Sequence, residues 1–203
     1  MSLNTCIQKS NGNILTAEGR LSYPSLFKPS MPKGEKDQSK ARYQATLLFP
    51  KATFEGGGLK LLADAVEKCA VEKWGADYAK KFKVKKPFLK TEDQPKQAEL
   101  APDFPVFIRC NSEQKPQIVD SAVKNVDDES QVYPGRWARI SVRPYAYDHP
   151  TGGKGVSLGL QNVQLLRDDD RLAGARSSAD DDFEAADAAT GNKKGADTDA
   201  MFS

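Results

Sequence analysis

The chain has 203 residues, of which 38% are hydrophobic and 29% are charged, so it is long enough for one domain of ordinary size with a core. No segment reaches the roughly 20 apolar residues that a membrane-spanning helix needs. No basic-then-apolar leader opens the sequence, so we expect no membrane association and a cytoplasmic location.

The cysteines and the histidine do not have the spacing of a metal site. Cys6, Cys69 and Cys110 are scattered along the chain, and the single histidine, His149, has no cysteine or second histidine near it. Zinc sites need such ligands in closely spaced pairs. We therefore expect reduced thiols, no disulfide framework, no metal and no other cofactor.

The net charge of +2 hides an uneven distribution. Residues 168–203 hold ten acidic and four basic residues, a net charge of −6, which leaves 26 basic and 18 acidic residues in 1–167, a net charge of +8. A basic body suits a polyanionic partner. An acidic tail suits either a basic partner or the body itself.

Alternation of apolar and polar residues predicts two strands in the first quarter of the chain. Residues 13–23 form the first, with Leu21 and Tyr23 on one face, and Pro24 ends it. Residues 25–40 are rich in lysine and contain two prolines, so we expect a long, mobile basic loop. Residues 41–49 form the second strand, which ends at Pro50.

One helix is expected, over residues 59–74, because apolar residues recur there at helical spacing opposite a charged face. It follows a triple glycine that lacks the Gly-Lys-Ser/Thr of a phosphate loop. Residues 80–90 are the densest basic run. Short strands are expected at 106–111 and 118–120 and a hairpin over 136–166. Residues 168–203 are too poor in apolar residues to order themselves.

The strand over residues 136–147 has two unlike faces. One face is apolar, from Ala138 through Ile140 and Val142 to Ala146. The other carries aromatic residues interleaved with arginines, with no carboxylate before Asp148. Flat rings and cations suit a single-stranded nucleic acid. The alternative is that both faces are buried, with the rings in the core and the arginines paired to carboxylates.

Five or six strands and one main helix favour a mainly β fold, because a βαβ sheet would need more helices. We expect a five-stranded antiparallel barrel of the oligonucleotide-binding type over residues 1–167, with a disordered acidic tail over 168–203. Such a barrel stacks bases on aromatic residues, while lysine and arginine follow the backbone.

A family resemblance rests on stretches that occur in order over most of residues 13–183. They are residues 19–24 with 26–27, 43–50, 86–88, 118–120, 133–139, 145–148 and 155–162. In these stretches the chain resembles a bacteriophage single-stranded-DNA-binding protein family, formerly described as a domain of unknown function. The resemblance implies an oligonucleotide-binding fold and a role in phage DNA replication, repair or recombination, within the cytoplasm of a bacterial host.

The predicted nucleic-acid-binding residues are aromatic or basic. They are Trp137, Arg139, Arg143, Tyr145, Tyr147, Arg42, Tyr43, Lys85, Lys86 and Phe107. The tail resembles those with which phage and bacterial single-strand binders recruit replication enzymes, although Ser203 follows the last phenylalanine. The tail could instead cover the basic groove. The predicted partner-binding tail residues are Asp180, Asp181, Asp182, Phe183 and Phe202.

Other functions stay open at this point. A metal-dependent nuclease would need clustered carboxylates in the ordered body, and the nearest run, residues 127–129, reads as a loop with no basic or histidine partner. An assembly protein could use the aromatic strand as a protein interface. Neither the choice between DNA and RNA nor homodimer formation is decided by the residues. We predict a binding protein and no enzyme.

Overall fold

The structure, a computed structural model, describes residues 3–32, 34–150 and 152–172. Its strands are β1 (Ile7–Gln8), β2 (Ile14–Leu15), β3 (Gly19–Ser30), β4 (Arg42–Phe49), β5 (Phe88–Lys90), β6 (Val106–Ser112), β7 (Gln117–Val119), β8 (Trp137–His149) and β9 (Gly153–Leu165). Its α-helices are α1 (Lys51–Glu55), α2 (Lys60–Trp74) and α3 (Tyr78–Lys81). None of the helices in these ranges is long and apolar enough to cross a membrane.

Five strands close into a barrel. β3 pairs with β4, β4 with β6, β6 with β9, β9 with β8, and β8 returns to β3. The β6–β9 pair is parallel and the other four pairs are antiparallel. This is the oligonucleotide-binding type of barrel that the sequence predicts. Strands β1 and β2 extend the sheet beside β8, β5 pairs with β6, and β7 pairs with β9.

The core follows the predicted alternation. Ala138, Ile140 and Val142 of β8 are fully buried, as are Leu47 and Phe49 of β4. Helix α2 runs over the predicted segment and packs against β8 and β9, burying Leu62, Val66 and Ala70. Because these residues recur at the spacing of their element, their inward faces could be predicted before any contact was known.

The first predicted strand and the loop after it need correction. The pairing breaks after Leu15 and resumes at Gly19, and β3 then continues to Ser30. Residues 25–30 are therefore strand and not loop. Two register shifts between β3 and β4 accommodate Pro24 and Pro29, which lack the N–H group that a regular ladder needs.

The predicted start of the disordered tail also needs correction. Residues 168–172, which we refer to as the strap, lie on the outside of the barrel. Leu172 is 7% exposed and packs against Leu48 and Phe107. Its N–H donates to the carbonyl of Pro134 at 3.1 Å. The strap also makes polar contacts, since Asp168 accepts from Tyr133 at 2.8 Å and Asp169 accepts from the Trp137 indole. Burial of Leu172 and these hydrogen bonds together hold five residues that composition assigns to the tail.

Glycine at position 135 makes room for the strap. Gly135 has a φ of +109°, and a Cβ there would collide with the carbonyl of Asp170 and lie 3.0 Å from the nitrogen of Leu172. The turn before β8 therefore needs glycine, both for its backbone angle and for the close approach of the strap.

Candidate nucleic-acid interface

The outer face of the barrel has a covered row of side chains. Strand pairing places Trp137 beside Arg20, Arg20 beside Leu48, and Leu48 beside Phe107. Leu172 of the strap and the segment containing Leu100 and Phe104 lie over the apolar part of this row. The face that the sequence predicts to be open is thus closed at this end by the chain itself.

Trp137 is held by the residues around it. Its indole Nε1 donates to Asp169 Oδ2 at 2.7 Å, and the Arg167 guanidinium carbon lies 3.8 Å from its ring centroid. The ring of Phe104 is 6.3 Å away. The predicted stacking surface of Trp137 is therefore already occupied by a cation, which gains from the negative face of the indole.

The structure corrects the prediction that Arg139 contacts phosphates. Arg139 is 4% exposed, and its Nε donates to the carbonyl of Thr16 at 2.9 Å. Burial lowers the pKa of its guanidinium, and Cys6 and Glu18 oppose that shift. The residues just after β2 cover this part of β8, so Arg139 ties two chain segments together from inside the protein.

Phe107 is also misassigned. It is on the outer face of β6, as alternation predicts, but it is fully buried beside Leu48 and beneath Leu172. The Arg109 guanidinium carbon lies 5.2 Å from its ring centroid. Phe107 supports the arginine next to it and offers no free ring face to a base.

The open part of the same face is a groove of about 320 Å³ across β3, β4 and β6. Four polar side chains from β4 and β6 line its floor. Strand register places them in two pairs, Thr46 with Arg109 and Gln44 with Asn111. Tyr23 stands at its edge with 55% of its surface exposed. Arg109 Nη2 donates to Gln94 Oε1 at 2.9 Å. A ring, a cation and amides in one groove suit a base with its phosphate.

Tyr23 and Arg109 were not among the predicted site residues. Alternation places Tyr23 on the core side with Leu21, but a register shift between Ser22 and Ser25 and a φ of +46° at Tyr23 turn its ring outward. No regular pattern predicts that reversal. Arg109 could have been found, because it shares the outer face of its strand with Phe107.

The β8–β9 hairpin holds the remaining β8 residues. Arg143 is exposed, with Nε donating to Asn13 Oδ1 at 3.1 Å and Nη2 to the carbonyl of Asn11 at 2.9 Å. Tyr145 is 42% exposed. The ring of Tyr147 packs on the backbone of Gly155, in the space that a side chain at that position would occupy. One part of Tyr147 is buried by this contact and the rest is exposed.

The other predicted residues are scattered around these surfaces. Arg42 donates to Glu113 Oε1 at 2.7 Å, and Tyr43 is half-buried on the opposite side of β4 from Gln44. Lys85 is exposed beside the start of β9, where its N–H donates to the carbonyl of Lys154. Lys86 donates to Glu67 on α2 at 2.8 Å. The predicted tail residues Asp180, Asp181, Asp182, Phe183 and Phe202 lie outside the described residues.

The hydrogen bond between Trp137 and Asp169 should make the stability of the fold depend on pH. The hydrogen bond from the indole is the main cause that lowers the pKa of Asp169, and Arg20 and Arg167 lower it further. A carboxyl with a lowered folded-state pKa stabilises the fold above its ordinary pKa, about 3.9, and loses that contribution as the pH falls through the folded value. We expect Trp137→Phe to lose less stability than wild type between neutral pH and about pH 3. Urea unfolding across this range measures it, and parallel curves for the two proteins would contradict it.

Comparison with known proteins gives the family. The model of the family described as Enterobacter phage Enc34, ssDNA-binding protein, matches residues 12–193. "Putative protein p50" of Acyrthosiphon pisum secondary endosymbiont phage 1 is 24% identical over 172 residues, covering 81% of this chain and 89% of that protein.

Solved structures share the fold. The single-stranded DNA-binding protein from bacteriophage Enc34, in complex with ssDNA, has a TM-score of 0.69 at 22% identity, covering 84% of this chain and 94% of that one. The single-stranded DNA binding protein gp2.5 encoded by bacteriophage T7 has a TM-score of 0.57 at 18% identity, covering 89% and 97%. Because the family model matches most of its length, this chain belongs to the Enc34 single-stranded-DNA-binding protein family.

Proposed function

We propose that this protein binds single-stranded DNA without sequence preference, in phage DNA replication, repair or recombination. The observation that supports this proposal most directly is the groove across β3, β4 and β6, where Tyr23 and Arg109 flank a polar floor. Family membership and the barrel fold support the same function. We propose binding without catalysis, since the family is described by DNA binding and not by a reaction.

Each part of the groove has a task in this proposal. Tyr23 offers a free ring to a base, a contact that contributes about 1–3 kcal/mol and tolerates any base. Arg109 neutralises a phosphate and is supported by Phe107 beneath it. Duplex DNA hides the faces of its bases, so stacking favours the single strand. The amides Gln44 and Asn111 both donate and accept hydrogen bonds, which suits every base edge.

The roles of the acidic tail stay proposals. We propose that residues 174–203 recruit replication or recombination proteins or compete with DNA for the basic body, as their charge allows. Action within the cytoplasm of a bacterial host and formation of a homodimer are proposed on the same footing.

The test is the salt dependence of DNA binding. Fluorescence anisotropy of a labelled oligo-dT at several salt concentrations should show affinity falling with salt, with a slope of about 0.7 per neutralised phosphate. Arg109→Ala should reduce that slope by about 0.7. Duplex DNA should compete poorly, and single-stranded RNA as a competitor measures the choice between nucleic acids.

Lys68→Ala is the matched control, because Lys68 is an exposed cation on α2 that pairs with Glu72. It removes one positive charge away from the groove and should leave the slope unchanged. A folded Arg109→Ala variant with the wild-type salt slope would show that the DNA-binding site is not this groove. A wild-type protein that does not bind oligo-dT at low salt would contradict the proposed function itself.

A further inference from the structure

A loop between β5 and β6 borders the groove. Residues 91–105 form this loop, and its two ends meet, because the N–H of Thr91 donates to the carbonyl of Pro105 at 3.0 Å. Leu100 and Phe104 of the loop pack on the apolar cluster of the outer face. The loop therefore has anchors of its own, outside the groove.

Two glutamines of the loop contact the two sides of the groove. Arg109 Nη2 donates to Gln94 Oε1 at 2.9 Å. Gln97 Nε2 donates to Oγ of Ser22, the residue directly before Tyr23. The N–H of Gln97 also donates to the carbonyl of Gln94 at 2.9 Å, so one turn of the chain carries both side chains. This turn is thus tied to the cation of the groove and to the strand that carries its ring.

Ser22 is the point at which β3 leaves its regular register. It pairs with Thr46 of β4, and the next pair is Ser25 with Gln44. Tyr23 lies between these two pairs and has a φ of +46°, in a region that residues with a Cβ rarely adopt. A hydrogen bond to the Ser22 hydroxyl holds the chain at its last regular pair. It therefore limits the directions that the ring of Tyr23 can take.

Gln97 is not the side chain that packing alone would favour at this position. Gln97 is 5% exposed and Ser22 is 2% exposed, so their hydrogen bond is buried. Burying an amide is costly unless it is hydrogen-bonded, whereas methionine would fill a similar space with no polar group to satisfy. What the polar pair adds to burial is a defined orientation of the two chain segments.

We propose that Gln97 and Gln94 are positioning residues for DNA binding. Gln97 orients the ring of Tyr23 through Ser22, and Gln94 orients the guanidinium of Arg109. Because one turn carries both glutamines, it also sets the ring and the cation relative to each other. This inference rests on the proposed DNA-binding function, and it assigns roles to two residues that need no contact with DNA themselves.

The first experiment removes the hydrogen bond between Gln97 and Ser22. Gln97→Met keeps the length of the side chain and loses the donor. We expect its affinity for oligo-dT to fall about 3- to 30-fold, a part of the contribution of one stacked base, with the salt slope unchanged. Ser22→Ala breaks the same contact from the other side and should give a similar loss. The double variant should bind no more weakly than either single one, because all three lack one shared contact.

The Tyr23→Ala background separates positioning from a general role in folding. If Gln97 acts through the ring of Tyr23, Gln97→Met should change the affinity of Tyr23→Ala by less than about 2-fold, while its effect on the thermal midpoint stays the same in both backgrounds. An equal loss of affinity with and without the ring would overturn the role of Gln97. So would wild-type affinity in folded Gln97→Met, or in Ser22→Ala if Gln97→Met does not fold.

Gln94→Ala tests the cation side of the groove. The guanidinium of Arg109 loses its acceptor and can point in more directions, so we expect the affinity for oligo-dT to fall about 2- to 10-fold. The same substitution should have no effect on affinity in the Arg109→Ala background. An equal loss in both backgrounds would show that Gln94 does not act through Arg109 and would overturn its role.

Gln131→Met is the matched control for the substitutions of glutamine. Gln131 is exposed and is not among the residues that line the groove, so its affinity for oligo-dT should equal that of the wild type. A wild-type protein that fails to bind oligo-dT at low salt would defeat the proposed function. Failure of the positioning roles alone would leave wild-type binding intact, so the two failures can be told apart.

Discussion

A chain shortened to residues 1–167 should be markedly less stable than one shortened to residues 1–173. The longer version keeps Leu172 in its slot on Leu48 and Phe107, and keeps Asp169 on the Trp137 indole. The shorter version exposes that slot and leaves Trp137 Nε1 without its acceptor. Removing one large buried apolar side chain costs about 2–5 kcal/mol, and we expect a loss in that range from urea unfolding of the two chains.

The single substitution Leu172→Ala in the full chain tests the same contact. It should lower the free energy of unfolding by most of the difference expected between residues 1–167 and 1–173. Leu3→Ala is the matched control, since it is the same substitution at an exposed side chain and should lose much less stability than Leu172→Ala. Equal unfolding midpoints for residues 1–167 and 1–173 would show that the strap adds nothing to the fold.

This pair of chains also decides how a competition between tail and DNA should be measured. A deletion that begins at Asp168 removes the strap together with the acidic tail, so a change in DNA affinity could come from a loosened barrel. A deletion that begins at Gly174 keeps the strap and the whole of the compact unit that ends at Ala173. Tighter DNA binding at low salt in the second deletion would support competition, and unchanged or weaker binding would count against it.

Arg139→Ala should unfold more easily than wild type and keep the wild-type salt slope of DNA binding. The substitution empties a buried site and leaves the carbonyl of Thr16 without its donor, for a cost of at least about 2 kcal/mol. No phosphate contact is lost, because the guanidinium is buried. Urea unfolding and anisotropy titrations at several salt concentrations measure the two effects on the same protein.

Arg139→Met separates volume from charge. It keeps the buried stem and should recover part of the stability, since apolar residues of similar size often replace buried cations well. Arg109→Ala should show the opposite pattern, with stability nearly intact and a reduced slope. A reduced slope in Arg139→Ala would mean that the segment covering this arginine opens when DNA binds.

The two arginines show where reasoning from sequence reaches its limit. Arg139 and Arg109 both occupy outward positions on their strands, and the pattern ranks them alike. Arg139 is buried because Thr16, 123 positions away in the chain, lies over it. Arg109 is exposed, and its contact with a distant segment is one hydrogen bond to Gln94 at the protein surface. Local periodicity carries no information about which distant segment covers an outer face.

Several features followed from the amino-acid sequence alone. The inward faces of β4 and β8, the helix α2, the β8–β9 hairpin and the barrel class were all predictable, because each repeats a spacing set by its own backbone geometry. The basic body and acidic tail are likewise properties of composition. Only the tertiary structure decided which outward residues remain open. Three structural features, none of which a local sequence pattern predicts, determine this exposure. They are the bulge that turns Tyr23 outward, the segment that buries Arg139, and the strap that covers Phe107 and contacts Trp137.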